Sequence, residues 1–72
     1  AKLGHIPEAV QLLDARLREV PKDAVALSER GSIAFQLGEL ESAADFLKRS
    51  LAVRPHDRPT LYSYFQTLTS LK

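Results

Sequence analysis

The sequence predicts an all-α fold in which antiparallel helix–turn–helix hairpins stack into a short solenoid. Three observations favour it: an internal period of 34 residues, apolar residues spaced by three and four, and Pro or Gly between the apolar segments. Shifting the 72-residue sequence by 34 positions gives nine identities in 38 aligned pairs, where about three are expected by chance. The first members of the identical pairs are Leu3, Gly4, Ala9, Leu13, Leu17, Pro21, Asp23, Leu27 and Leu37.

Local signals place the ends of the helices. Pro7 suits a first helical turn, where its missing N–H has no partner to lose, whereas Pro21 and Pro55 end helices. Asp23 is predicted to cap the second helix and Asp57 to repeat that role in the fourth. The predicted helices span about 7–20, 24–37, 41–53 and 58–71.

Gly38 separates the second predicted helix from the third. It is predicted to end the second helix in the left-handed conformation. All connections are only a few residues long, so successive helices must pack antiparallel. Each helix carries an apolar stripe. In the first helix the stripe is Ile6, Ala9, Val10, Leu13, Leu17 and Val20; in the third, Leu40, Ala43, Ala44, Leu47 and Leu51; the fourth carries Leu61, Tyr64, Phe65, Leu68 and Leu71.

These residues resemble the tetratricopeptide repeat (TPR) family, whose 34-residue unit is a helix–turn–helix with small residues at the helix crossing. The pattern appears over residues 24–57 as Leu27, Gly31, Gly38, Ala43, Leu47, Ser50-Leu51 and Pro55. The resemblance divides a single segment, 1–72, into a second-helix half-repeat (1–23), a full repeat (24–57) and a first-helix half-repeat (58–72). It implies a right-handed α-solenoid in which Gly31 and Ala43 let two helices approach closely.

Three positions depart from the family pattern. Leu27 replaces the usual Trp, and Arg16 stands where a small Ala is common, which suggests an open surface. Phe65 stands where the full repeat has Gly31, so a further helix is not expected to pack against the fourth in the usual way. The fourth helix is therefore either a differently packed terminal helix or a sign that the array ends nearby.

The composition and motifs argue against nucleic-acid binding, membrane binding, metal binding and catalysis. The net charge is +1 and basic residues are interrupted by acidic ones, so neither nucleic acid nor a membrane surface is an expected partner. The sequence has no Cys, and its two imidazoles, His5 and His56, fall in turns without a second ligand at metal spacing. Without a nucleophile motif or a phosphate-binding loop, we expect no enzyme activity, no metal and no cofactor.

The family resemblance implies a concave groove lined by the first helices of successive hairpins, which holds a peptide or a partner helix. The positions carried over are Ser28, Ser32, Phe35, Gln36, Tyr62, Gln66 and Thr69. Apart from the flanking Glu29 this stripe is uncharged, so a clamp for a C-terminal carboxylate is not expected. Aromatic rings with amide and hydroxyl groups suit a neutral peptide or helix, although a Ser/Gln stripe is also typical of a solvated helix face.

The sequence thus predicts a protein–protein interaction scaffold that forms part of a larger protein. Two alternatives remain: a structural spacer or self-assembly element whose open repeat edges associate, and a non-catalytic arm of a larger enzyme. No apolar run approaches the length of a membrane span, and the chain is expected to be soluble. The compartment stays open, with the cytoplasm favoured over the periplasm.

Overall fold

A computed structural model describes residues 6–71, which form four α-helices and no strand. The helices are α1 (Ile6–Glu19), α2 (Ala24–Gln36), α3 (Leu40–Val53) and α4 (Arg58–Ser70). The predicted all-α hairpin arrangement is confirmed, and each predicted boundary agrees with the structure to within one residue. Predictions that rest on Leu3, Gly4, His5 and the side chain of Ile6 lie outside the described residues.

Each helix packs against the next one along the chain. The α2–α3 contact is the most extensive, α4 packs mainly on α3 and touches α2, and α1 packs on α2. Because α2 contacts all three other helices, most of the core comes from it and from α3. The buried apolar residues are Ala24, Ala26, Leu27, Ala34, Ala43 and Leu47.

Gly31 marks the closest approach of α2 to α3. A Cβ atom added to Gly31 would lie 2.8 Å from Cγ and 2.9 Å from Cδ2 of Leu47, and 3.3 Å from Cβ of Phe46. Ala43 is also fully buried. The prediction that small residues occupy this crossing is confirmed, since no larger side chain would fit at this helix separation.

The α2–α3 turn depends on the backbone freedom of Gly38. Its φ of +80° is the left-handed conformation that the sequence predicted. Gly38 N–H donates to the carbonyl of Phe35, and Glu39 N–H donates to the carbonyl of Ala34. This pair of bonds is a Schellman motif, which satisfies two carbonyls at the end of α2 and reverses the chain.

The two predicted N-caps differ in their bonds. Asp23 accepts from the N–H of Ala26 at 3.2 Å, as predicted. Asp57 has the same φ of −74° and ψ of 100° but caps no N–H, so that part of the prediction is wrong. Its carboxylate accepts from the hydroxyl of Thr60 instead. The reason lies partly in Pro59, which removes the N–H of the second helical residue, one of the two usual donors to a cap.

The stripe of α1 is less buried than its pattern suggested. Leu13 and Leu17 are half-buried against α2, but Val20 is exposed, so its assignment to the buried stripe is wrong. The physical reason is that α1 ends at Glu19, so Val20 belongs to the connection that follows and not to the helical stripe. Arg16 is exposed, as expected, and its Nε donates to Asp23 at 2.7 Å.

Candidate functional site

A hydrogen-bond chain holds α4 beside α2. The hydroxyls of Ser28 and Thr60 lie 3.0 Å apart, and Thr60 donates its proton to Asp57. Ser28 must therefore be the donor to Thr60, because a hydroxyl has only one proton to give. Thr60 is buried and its partners Ser28 and Asp57 are half-buried, so these hydrogen bonds help to fix the separation of the two helices near their N-terminal ends.

Further along the helices, side chains of α2 and α4 surround a shallow depression of about 160 Å³. Its walls are polar apart from Phe35, and its floor is Leu47, a fully buried residue of α3. The lining residues are Ser32, Phe35, Gln36, Leu47, Ser63 and Gln66. The depression is thus the open side of the junction between three helices.

A second depression, of about 350 Å³, adjoins the first one. Phe35 and Gln66 line both depressions, so together they form one groove that crosses from α2 to the outer side of α4. The lining residues of the second depression are Phe35, Tyr62, Phe65, Gln66, Thr69 and Ser70. We call the two depressions together the α2–α4 groove.

The structure places most of the candidate binding residues around this groove. Ser32, Phe35, Gln36, Tyr62, Gln66 and Thr69 all line it. Ser28 does not: it lines a separate depression of about 260 Å³ near the N-terminus of α2, together with Glu29, Arg54 and Asp57. Since its hydroxyl is engaged with Thr60, Ser28 joins two helices rather than facing a ligand freely.

Sequence reasoning missed Phe65 as a groove residue. Its ring is 61% exposed and lines the second depression beside Tyr62, which is 67% exposed. The signal was present in the sequence, because an aromatic residue at the repeat position of Gly31 cannot occupy a close helix crossing. Ser63 and Ser70 were also missed, and nothing distinguished them from other surface serines.

The α2–α4 groove is neutral. None of its lining residues among those the structure describes carries a charge. Gln66 Nε2 approaches the hydroxyl of Tyr62 at 3.5 Å, a weak contact that a ligand can replace, whereas the hydroxyl of Thr69 already donates to the carbonyl of Phe65. The groove therefore offers aromatic surface together with the polar groups of Ser32, Gln36 and Gln66.

The described residues were also compared with the requirements of a metal site and of a membrane-spanning helix. Residues 6–71 contain no group of three or more His, Cys, Asp or Glu side chains that could hold a metal ion. No helix in the same range is long and apolar enough to cross a bilayer. Comparisons with protein-family models, curated proteins and solved structures found no match to this chain.

Proposed function

We propose that this chain is a protein–protein interaction scaffold of the tetratricopeptide-repeat type, which holds a peptide or a partner helix in the α2–α4 groove. One observation carries the proposal: two adjoining depressions share Phe35 and form a single uncharged groove with exposed aromatic rings at one end. Exposed Tyr and Phe side chains beside neutral polar groups are typical of the energetically dominant part of protein interfaces.

The chemistry of the lining favours a neutral, partly apolar ligand. An aliphatic or aromatic side chain of the ligand would bury the rings of Tyr62, Phe65 and Phe35, whose exposure to water is unfavourable. The amides of Gln36 and Gln66 can pair with main-chain groups of the ligand. A strongly charged ligand would lose its hydration without a counter-charge in the groove.

The test is to select 12-residue peptides from a random library on the wild-type chain and to measure their affinity for three variants. Tyr62→Ala and Gln66→Ala should each weaken the selected peptides about tenfold, which is common for central contact residues. Leu12→Ala is the matched control, because Leu12 is 73% exposed but lies on α1, outside the groove. Equal affinity of the peptides for wild type, Tyr62→Ala and Gln66→Ala would exclude the groove as their site.

A second candidate function, a structural or self-assembly element, is favoured by the outer side of α4. Phe65 and Leu68 occupy the repeat positions that correspond to Gly31 and Ala34, and both of these α2 residues are buried. In α4 both are exposed, so an apolar strip remains uncovered by the described residues. Such a strip could associate with a second copy of the chain.

A further inference from the structure

A depression of about 360 Å³ lies between α1 and α3, apart from the α2–α4 groove. No Cα atom of α1 comes within 8 Å of a Cα atom of α3, so these helices leave a cleft that only side chains span. The lining residues are Asp14, Leu17, Arg18, Pro21, Phe46 and Arg49. Unlike the groove, this cleft combines apolar walls with charged side chains.

Phe46, which lines the cleft, contacts two guanidinium groups, of which that of Arg49 also belongs to the cleft lining. The Cζ atom of Arg30 lies 4.9 Å from the centre of the Phe46 ring, and that of Arg49 lies 5.1 Å from it. Both distances fall within the range of cation–π attraction. The ring therefore attracts two positive charges, that of Arg49 at the cleft and that of Arg30 beside it, and Arg18 adds another charge at the wall of the cleft.

These arginines have more donors than nearby acceptors. Arg30 Nε donates to Asp14 at 3.2 Å, but Arg30 Nη1 is buried without a hydrogen-bond partner. The contact between Arg49 and Asp45 is 3.6 Å long and solvent-exposed, so it holds Arg49 weakly. Arg18 forms no ion pair with another described residue. Among the described residues, the ion pairs of these three guanidinium groups thus involve two carboxylates, those of Asp14 and Asp45, although each guanidinium group has five donors.

We propose that the α1–α3 cleft binds the carboxylate side chain of an acidic segment on a protein partner. A carboxylate matches the planar donor pairs of Arg18 and Arg49 and can accept two hydrogen bonds from one guanidinium group. The apolar walls, Leu17, Pro21 and Phe46, suit the aliphatic part of a Glu side chain or a neighbouring apolar residue.

The same residues disfavour other anions. Inorganic phosphate has no apolar part to bury against Leu17, Pro21 and Phe46, whereas the carboxylate of a Glu side chain carries an aliphatic stem that fits these walls. A polyanion such as nucleic acid needs an extended basic surface, whereas the whole chain carries a net charge of only +1. This inference does not rest on the α2–α4 groove, which shares no lining residue with the cleft.

The test is to titrate the ¹⁵N-labelled chain with a ten-residue peptide of alternating Glu and Leu, and to follow backbone and arginine side-chain signals by NMR. Signals of α1 and α3 near the cleft should shift, and the Arg18→Gln/Arg49→Gln variant should bind at least tenfold more weakly. Both side chains are exposed, so the variant should keep its fold. Arg54→Gln/Arg58→Gln is the matched control, because it removes the same charge from exposed residues outside the cleft.

Two further probes complete the test. A peptide with Gln in place of Glu should not shift the cleft signals, and inorganic phosphate should not displace the Glu peptide at equal concentration. Equal losses of affinity in the two double variants would show that binding depends only on the net charge of the chain, and this would overturn the proposal. So would equal binding of the Gln peptide, or displacement by phosphate. Tyr62→Ala, the groove variant, should leave the cleft titration unchanged. The proposals for the groove and for the cleft are therefore tested independently.

Discussion

Gly31 lies at the crossing of α2 and α3, where the core has no room for a side chain. Leu47, the residue that a Cβ would meet, is fully buried, and the nearest atom is its branch point Cγ, which cannot shift without moving the whole side chain. A substitution here therefore tests the packing directly, without a change of backbone conformation, because Gly31 lies inside a regular helix.

We expect Gly31→Ala to lower the free energy of unfolding by about 1–2 kcal/mol. Overpacking costs about 1–3 kcal/mol, and the better helix propensity of Ala returns up to about 1 kcal/mol. Urea denaturation followed by circular dichroism measures the change. Ser32→Ala, on the exposed side of the same helix, is the control and should be neutral or slightly stabilising. An equal increase in the free energy of unfolding for both variants would show that the α2–α3 crossing leaves more room at Gly31 than the structure indicates.

Asp23 is the residue whose charge links stability to pH. The hydrogen bond from Arg16 Nε, and after it the bond from the backbone N–H of Ala26, lower the pKa of Asp23 below its ordinary value. The same contact raises the pKa of Arg16. Because the folded-state pKa of Asp23 is depressed, its ionised form stabilises the folded chain above the unfolded-state pKa of about 3.9, and this contribution disappears as the pH falls through the folded-state value.

Asp23→Asn separates the charge from the cap, since Asn still accepts the N–H of Ala26 but cannot pair ionically with Arg16. We expect its Tm to lie roughly 1–6 °C below that of wild type at pH 7, with the difference disappearing as the pH falls through the depressed folded-state pKa of Asp23. Thermal melts at a series of pH values measure it. Asp45→Asn removes an exposed carboxylate whose contact with Arg49 is longer, and should change Tm less. A Tm difference between wild type and Asp23→Asn that is independent of pH would contradict the ionic explanation.

At the scale of the helices, Arg30 connects three of them. It belongs to α2, pairs with Asp14 of α1 and lies over the ring of Phe46 of α3. The α1 and α3 backbones do not approach each other, so this side chain supplies a link that backbone packing lacks. Its side chain is 13% exposed, and that of Asp14 is 42% exposed.

This asymmetry of burial predicts an order of destabilisation. Asp14→Ala should cost about 1–3 kcal/mol, because it leaves a nearly buried guanidinium group without its counter-ion. Arg30→Met should cost less, about 1 kcal/mol or under, because it replaces the buried charge by an apolar chain of similar length. Chemical denaturation of both variants and of the double variant gives the coupling energy. A double variant whose loss of stability equals the sum of the two single losses would show that the two side chains act independently.

For the whole molecule, the uncovered strip on α4 is the feature with a measurable consequence. If the chain self-assembles through this strip, the mass measured by light scattering should rise with protein concentration. Phe65→Ser should shift that rise to higher concentration. The Tm of the dilute variant should change little, since exposed substitutions usually alter stability by no more than about 0.5 kcal/mol. Leu12→Ser on α1 is the control for a general loss of apolar surface. A wild-type chain that stays monomeric at every concentration would exclude this candidate.

Much of the groove followed from the sequence, but its exact lining did not. The spacing of Ser32, Phe35, Gln36 and Gln66 placed them on one side of their helices, and the structure brings them together. Ser28 has the same spacing yet is engaged with Thr60, a residue 32 positions away. Helical periodicity gives the direction of a side chain, not the partner that it meets, and so it could not separate Ser28 from the others.

The sequence by itself determined the number, bounds and antiparallel order of the helices. These depend on local chemistry: Pro without an N–H, Gly38 in a left-handed conformation, and the cap at Asp23. Only the tertiary structure decided that Phe65 joins the groove and that Arg30 links three helices. It also decided that Asp57 bonds to the hydroxyl of Thr60, the residue that meets Ser28. These outcomes depend on which side chains meet across helices, and that is set by packing between distant residues rather than by the spacing within one helix.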